Sequence, residues 1–452
     1  MKKILIVILM FVFFCIPVSA NSAPKEWKGE TQNGVYGMDE DCPILVKKEN
    51  LTFDVQEFPK DFYTDAEEFN AYNGSVTAEY TFYNPESTPI DARLVFPFRI
   101  NPSYNVTSLL FPDIEQYPIT VNNEKTEAVL RLTYSYGGGF HLDDDIAQLQ
   151  DTYISDGLYS PTTPVYEYVF NPDTEKAGGG YYVCAEWSGT NQNSERLIGM
   201  DAQGVMISGE QFTLSVNVEN DVPVSVYVIG KPLEELPVWS IHDTSENKNE
   251  IKGEMTLKEI KESNLESYFL SFKNDYPVSD VDWFNFMASA MKNEISSEGI
   301  FDRYLSTERD ALWWFDYSVH FEGEEEVINS VTAPMYPFIH GGYDENIYTY
   351  TYLLTPASAW KEFHDLDIQI NTQGYLIKDE NGFVKNENGY ALHLDELPEK
   401  DLEFSLCAIE KPARKADSGM ILVLMILGVM LVGGILFVIL IIRLLIRLFR
   451  KR

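Results

Sequence analysis

Six histidines and four cysteines are the residues of this 452-residue chain best suited to metal, nucleophilic or proton-transfer chemistry. The histidines, His141, His242, His320, His340, His364 and His393, are scattered, and no two stand at metal-ligand spacing. The cysteines, Cys15, Cys42, Cys184 and Cys407, are also too far apart for a paired-thiol site. A cysteine with a histidine elsewhere in the fold could be a nucleophile, so Cys184 is the one to weigh. It lies in Tyr181-Tyr182-Val183-Cys184-Ala185-Glu186-Trp187, which reads as a strand interior. The expected role is a small buried hydrophobe. There is no Gly-x-Ser-x-Gly elbow, no phosphate loop ending in Gly-Lys-Ser/Thr and no His-Glu-x-x-His.

Carboxylates are abundant, and abundance removes their meaning. With 70 Asp and Glu, some pair must fall within the roughly 5–10 Å that glycosidase chemistry uses. Exposed aromatics offer the better ligand-contact candidates, since a flat ring stacks on a sugar. These are Trp187, Trp239, Trp313 and Tyr343, with His340 in the loop-like Phe338-Ile339-His340-Gly341-Gly342. Tyr348, Tyr350 and Tyr352 alternate along one strand face, and that face reads as core. The acidic Asp379-Glu380-Asn381-Gly382 lacks the alternating oxygen ligands of an EF-hand loop. No catalytic, cofactor-binding or metal-binding residue is assigned, and no cofactor is expected.

The elements that must position these side chains are mostly strands. Val76 to Asn84 alternates apolar and polar residues and stops at Pro85. Ile90 to Phe96 runs again to Pro97, giving a hairpin-like pair. Similar runs occupy Ala128 to Tyr136, Pro164 to Phe170, Gln211 to Val218 and Val222 to Ile229. Asn381-Gly382 and Asn388-Gly389 predict tight hairpin turns, because both residue types accept positive φ. Helix signals cluster mid-chain. Thr256-Leu257-Lys258-Glu259 has a capping-box pattern, and Asp280 to Ile295 carries apolar residues at helical spacing behind Asp280 and Asp282. Thr307 to Phe315 predicts a third short helix and Asp143 to Asp145 the solvated start of another. Gly137 to Gly139 and Gly178 to Gly180 read as loop hinges.

The formal net charge is −36, and seven of the 34 Lys and Arg lie at the two ends, where there are no acids. So acidic a body has no positive patch with which to displace counterions from phosphates, which excludes a nucleic-acid partner. With 45% apolar residues the chain can bury a large core. Lys2 and Lys3, the apolar Ile4 to Ile16 and the small residues Val18-Ser19-Ala20 form the three parts of a secretory signal. Met420 to Ile442 is free of charge and is followed by Arg443, Arg447, Arg450, Lys451 and Arg452. At about 1.5 Å per residue it is long enough to cross a bilayer, and the positive-inside rule places its end in the cytoplasm. Lys411 to Gly419 holds no sortase motif. Cleavage of the leader would leave Cys42, Cys184 and Cys407, which allow one bridge and a leftover thiol, or no bridge.

Several phrases have a familiar form. Val76-Thr77-Ala78-Glu79-Tyr80-Thr81-Phe82-Tyr83-Asn84 followed by Val95-Phe96-Pro97 resembles a bacterial family of exported proteins classed as a domain of unknown function. So do Tyr352-Leu353-Leu354-Thr355-Pro356-Ala357-Ser358-Ala359-Trp360 with Asp365 to Ile368, Leu397-Pro398-Glu399-Lys400-Asp401-Leu402, and Trp314 with Phe321-Glu322-Gly323-Glu324. The chain departs from that family at Pro356-Ala357, where Thr-Gly is usual, and in its acidic middle. The resemblance implies an exported β-rich body and supplies no activity and no functional residue.

The expected fold is mostly β, with two β-sandwich-like lobes, a short helical section between them and one C-terminal transmembrane helix. The boundaries are a signal peptide at 1–20, a first lobe at 21–235, a helical section at 236–300, a second lobe at 301–411, a stem at 412–419, a membrane helix at 420–442 and a basic tail at 443–452. The expected protein is a single-pass membrane protein with its body outside the cell. It would be a non-enzymatic binding or envelope-assembly module with the lipid bilayer and a surface protein or glycan as partners. The rival readings are an envelope enzyme acting on polysaccharide, and a receptor subunit whose membrane helix, with Gly428, Gly433 and Gly434, packs against a signalling partner. N-terminal sequencing of the chain from membranes tests the leader: the expected first residue is Asn21, and a chain still carrying Met1 overturns cleavage.

Overall fold

The computed structural model describes residues 31–415, apart from 34, 38–41, 59–73, 99–116, 136–141, 274, 303–309, 355–359, 361, 380 and 399. The expected leader, membrane helix and basic tail lie outside the described residues, as do Gly137 to Gly139. Among the described residues no helix is long and apolar enough to cross a membrane.

The fold is mostly β. Its widest sheet has eight strands in the order Val384–Lys385, Gly389–Leu394, Leu366–Thr372, Leu45–Val55, Ser75–Tyr83, Glu326–Pro334, Ile119–Val121 and Glu124–Lys125. Ser75–Tyr83 alternates half-buried and buried positions without a break, sending Val76, Ala78, Tyr80 and Phe82 inward. One core joins this sheet to two others. One of these contains Ile90–Phe98, Ala311–Phe321 and Val129–Tyr134; the other contains Ile347–Leu353 and Leu402–Cys407. Tyr348, Tyr350 and Tyr352 are buried in that core, as their alternation predicts.

A second, smaller sandwich has its own core. Gly253–Asn264, Pro164–Thr174, Val224–Gly230, Arg196–Met200 and Ile300–Asp302 form one sheet. Gly204–Ser208, Gln211–Val218, Val183–Thr190 and Trp239–Asp243 form the other, and Phe170, Trp187, Phe212, Leu214 and Val226 fill the space between. The helices Leu265–Leu270 and Asp280–Glu294 then pack into the larger core.

The expected division into successive lobes at 21–235 and 301–411 is therefore corrected. Ser75–Tyr83 pairs with Glu326–Pro334, and Ile90–Phe98 with Ala311–Phe321, so both segments build the same sheets. Each central strand needs a ladder on either side, and the far end of the chain supplies it. The small sandwich is an insertion within that body.

Three local expectations also change. Ser75–Tyr83 and Ile90–Phe98 do not pair as a hairpin; they belong to different sheets and form an arch across the core. Asn84 holds the bend: its Nδ2 donates to the carbonyls of Thr88 and Glu322, and its Oδ1 accepts from the Glu86 amide. Thr256 caps no helix, because Gly253–Asn264 is an edge strand laddered along Pro164–Thr174, and that ladder overrides the local capping pattern. The cap falls instead at Asn264, whose side chain accepts from the Ser267 amide. Residues 311–315, expected as part of a helix, begin the strand Ala311–Phe321, while 307–309 lie outside the described residues.

Other expectations match. Asp280–Glu294 is a helix capped by Ser279, and Leu142–Ile146 is a short helix, although Asp145, expected to be solvated, is buried and accepts from the Ser135 hydroxyl. Asn386 to Gly389 closes a hairpin, with Gly389 at φ +144° where a Cβ would lie 2.1 Å from the Ile370 carbonyl oxygen. The turn at Asn381-Gly382, expected as a hairpin, is corrected: its flanking strands lie in two different sheets, and the Asp379 carboxylate accepts from the amides of Asn381, Gly382 and Phe383. Cys184 and Cys407 are free thiols.

Glu49 is sealed inside the large core. Glu49 is on the inward face of Leu45–Val55, and a bulge between Val46 and Lys48 then turns Lys47 outward. The Tyr352 hydroxyl donates to Glu49 Oε1 at 3.1 Å. Burial pushes the Glu49 pKa up to about 7, with Tyr80 and Tyr352 opposing the shift in part. The unfolded chain therefore loses this proton first, and stability drains away as pH rises from the ordinary carboxylate value through about 7, where the loss ends. The size is of order 3 kcal/mol. In denaturation of the purified chain, Glu49→Gln is expected to gain on the parent as pH rises through this window. Parallel pH profiles for the two proteins would disprove it.

Candidate functional site

The four-stranded sheet containing Ala311–Phe321 has two very different faces. Trp313, Phe315 and Tyr317 point into the large core. The opposite face carries Arg93 on Ile90–Phe98, Arg131 on Val129–Tyr134, and Asp316 with Ser318 on Ala311–Phe321. Helix Asp280–Glu294 brings its first turn over this face, because the Ser279 hydroxyl caps it at the Asp282 amide, 3.0 Å away.

Arg131 is the hub. Its Nε donates to Asp282 Oδ1 and Oδ2 at 2.9 and 2.8 Å, its Nη1 to Asp316 Oδ2 at 3.0 Å, and its Nη2 to the Gln150 carbonyl at 3.0 Å. Arg131, Asp282 and Asp316 are all buried. Burial works against the Arg131 charge, and Asp282 and Asp316 outweigh it, so its pKa ends above the usual value. Arg93 closes on Asp316 from the open side with Nε 2.9 Å from Oδ1. A cleft of about 780 Å³ opens above the network, lined also by Glu127, Val129, Asp151, Ser279 and Ser318. Asp151 is 73% exposed and reaches Arg131 Nη1 at 3.0 Å from the rim.

The five sequence candidates do not converge. Trp187 and Trp239 sit opposite one another in the small sandwich, with ring centroids 6.4 Å apart. Trp187 is buried there, and Trp313 has no exposed surface at all. Neither offers a face to a sugar; alternation sends both inward. His340 is exposed, with Nε2 3.1 Å from the Thr349 hydroxyl and its ring against Phe338. Tyr343 is half-buried beneath the Arg414 guanidinium.

Two constellations escape a reading by sequence spacing. The cleft draws Arg93, Arg131, Asp282 and Asp316 from four separate elements. On the outer face of the small sandwich, Cys184, Glu186 and His242 come within 4.8 Å of one another at their ligand atoms. The only linear signal for the second is Cys184-x-Glu186, two residues on one side of a strand.

No protein-family profile matches this sequence, and no curated protein matches it. Among solved structures, a Legionella pneumophila protein with a provisional nutrient-binding assignment aligns over 84% of this chain and 71% of its own, at 10% identity and a TM-score of 0.28. A score that low identifies no shared fold.

Removing the hub leaves two buried carboxylates without their counter-ion. Arg131→Met is expected to cost about 3–5 kcal/mol in urea denaturation, and Asp151→Asn, at the exposed rim, less than about 1. Equal effects from the two variants would contradict the burial argument.

Proposed function

We propose that the protein is a non-enzymatic binding module of the extracytoplasmic surface, held to the bilayer by 420–442, and that its ligand seats in the Arg93–Arg131–Asp316 cleft. The observation that carries this reading is the preorganised charge of the cleft. Buried ion pairs from three strands and a helix hold the floor rigid, so the exposed groups at the mouth are fixed before a ligand arrives. Arg93, one-third exposed at its side chain, presents positive charge, and Asp151 and Glu127 present negative charge beside the exposed Val129. This suits a small polar ligand that carries both signs of charge.

The polysaccharide-cleaving alternative fits the same cleft poorly. A glycosidase needs two carboxyl groups flanking an open space for the glycosidic oxygen. Here the Arg131 guanidinium occupies the space between Asp282 and Asp316, bonded to both.

Thermal melts of the purified chain against amino acids, short peptides, glycans, wall polymers, calcium and EDTA test the reading. A ligand at 100 times its Kd stabilises by about 2.7 kcal/mol. The expected result is an upward shift with one ligand class that Arg93→Ala and Ser318→Trp both abolish. Turnover of a polysaccharide, or a shift indifferent to both substitutions, would overturn it.

A further inference from the structure

Val183–Thr190 sends Val183, Ala185 and Trp187 into the small core and Cys184, Glu186 and Ser188 to the other face. That outer face is paved with small polar side chains, since Thr213, Ser215 and Asn217 stand opposite Ser188, Glu186 and Cys184 on one neighbouring strand. On the other neighbour His242 is directly opposite Cys184, and Ser240 opposite Glu186.

The ring of His242 is oriented for coordination. Its Nδ1 lies 2.8 Å from the carbonyl oxygen of Asp243. A carbonyl accepts and never donates, so Nδ1 carries a ring proton, and Nε2 is the nitrogen left to face a ligand. His242 is 6% exposed, and Nε2 has no hydrogen-bond partner. It points at Glu186 Oε1, 3.2 Å away without hydrogen-bond geometry. That oxygen accepts from the Ser215 hydroxyl at 3.2 Å and from Lys248 Nζ, so donors already gather on it. Nε2, this carboxylate and the adjacent thiol sulfur lie close enough together to serve as one donor set for a cation. Lys248 supplies one charge from the rim, with Nζ 2.7 Å from Glu186 Oε1 and a side chain 58% exposed and free to swing away.

We propose that Cys184, Glu186 and His242 form a site for one borderline-soft divalent transition-metal ion of the Zn²⁺ class, with a fourth position open to solvent. Sulfur, imidazole nitrogen and carboxylate oxygen together match such an ion, whereas Ca²⁺ and Mg²⁺ take oxygen ligands. On binding, the Cys184 thiol releases its proton to solvent, and bonds form from Sγ, Nε2 and one Glu186 oxygen to the ion. Lys248 is displaced into water. Thiolate and carboxylate neutralise the two positive charges. Donor atoms already within 4.8 Å close by about an ångström to reach metal bonds of about 2.0–2.3 Å. Closure on that scale is within the reach of side-chain rotation on a firm sheet. This site is separate from the cleft, and either proposal stands without the other.

Cobalt(II) titration of the purified, reduced full chain tests the site. The expected result is one equivalent bound, with a thiolate-to-cobalt charge-transfer band that Zn²⁺ bleaches and Ca²⁺ and Mg²⁺ leave unchanged. The band should persist in Cys42→Ser and Cys407→Ala and vanish in Cys184→Ser, whose side chain faces outward and changes little volume. Glu186→Gln and His242→Gln should each weaken binding by at least about tenfold. A second readout covers any variant that folds poorly: Zn²⁺ should raise the thermal midpoint of the parent chain reversibly to EDTA, and less so in Glu186→Gln. Absence of the band, its survival in Cys184→Ser, or a Zn²⁺ shift equal in Glu186→Gln would overturn the proposal.

Discussion

The ladder between Ser75–Tyr83 and Glu326–Pro334 is the contact on which the rest of the molecule depends. It joins residues some 250 positions apart in sequence, and on the other side of the same strand Leu45–Val55 completes the pairing. Closing so long a loop costs entropy that grows only slowly with length, and unbroken alternation along Ser75–Tyr83 recovers it by burying one whole face. Once the ends are joined, the chain after Val129–Tyr134 must leave and re-enter the body. The small sandwich is what that excursion folds into, and the two helices are the return path.

Polar groups inside this architecture mark where separate elements meet. Arg131 ties a helix to two strands through Asp282 and Asp316. Tyr352 reaches across from another sheet to Glu49, and Asn84 pins an arch to the turn that faces it. In each case a buried polar atom finds its partner far away in sequence, which specifies one arrangement among many that would satisfy hydrophobic burial alone. The ionic hub and the cleft are one construction: the charges that lock the helix also set the field at its mouth.

The outer face of the small sandwich follows a different logic. A sheet with one face in the core frees the other face for polar side chains, and here that row is largely covered by its own neighbours, with Cys184 and His242 buried. Cys184, Glu186 and His242 occupy this row. Their meeting depends on register, since a slip of one residue between Val183–Thr190 and Trp239–Asp243 would turn His242 to the opposite face.

By itself the sequence determined the β-rich class, the alternation that buries Tyr348, Tyr350 and Tyr352, the helix from Asp280, and the strand setting of Cys184. These are local properties, written in side-chain period and capping. Tertiary structure decided what local pattern cannot carry: which strands become neighbours, and therefore which outward residues meet. It made Gly253–Asn264 a strand because a long ladder outweighs a capping box, and it split one apparent hairpin between two sheets. It buried Trp187 and Trp313, which composition alone offered as ligand contacts. The Arg131 hub and the Cys184–Glu186–His242 group were illegible for the same reason. Each is assembled by pairing between distant segments, and pairing is settled by the burial of whole faces.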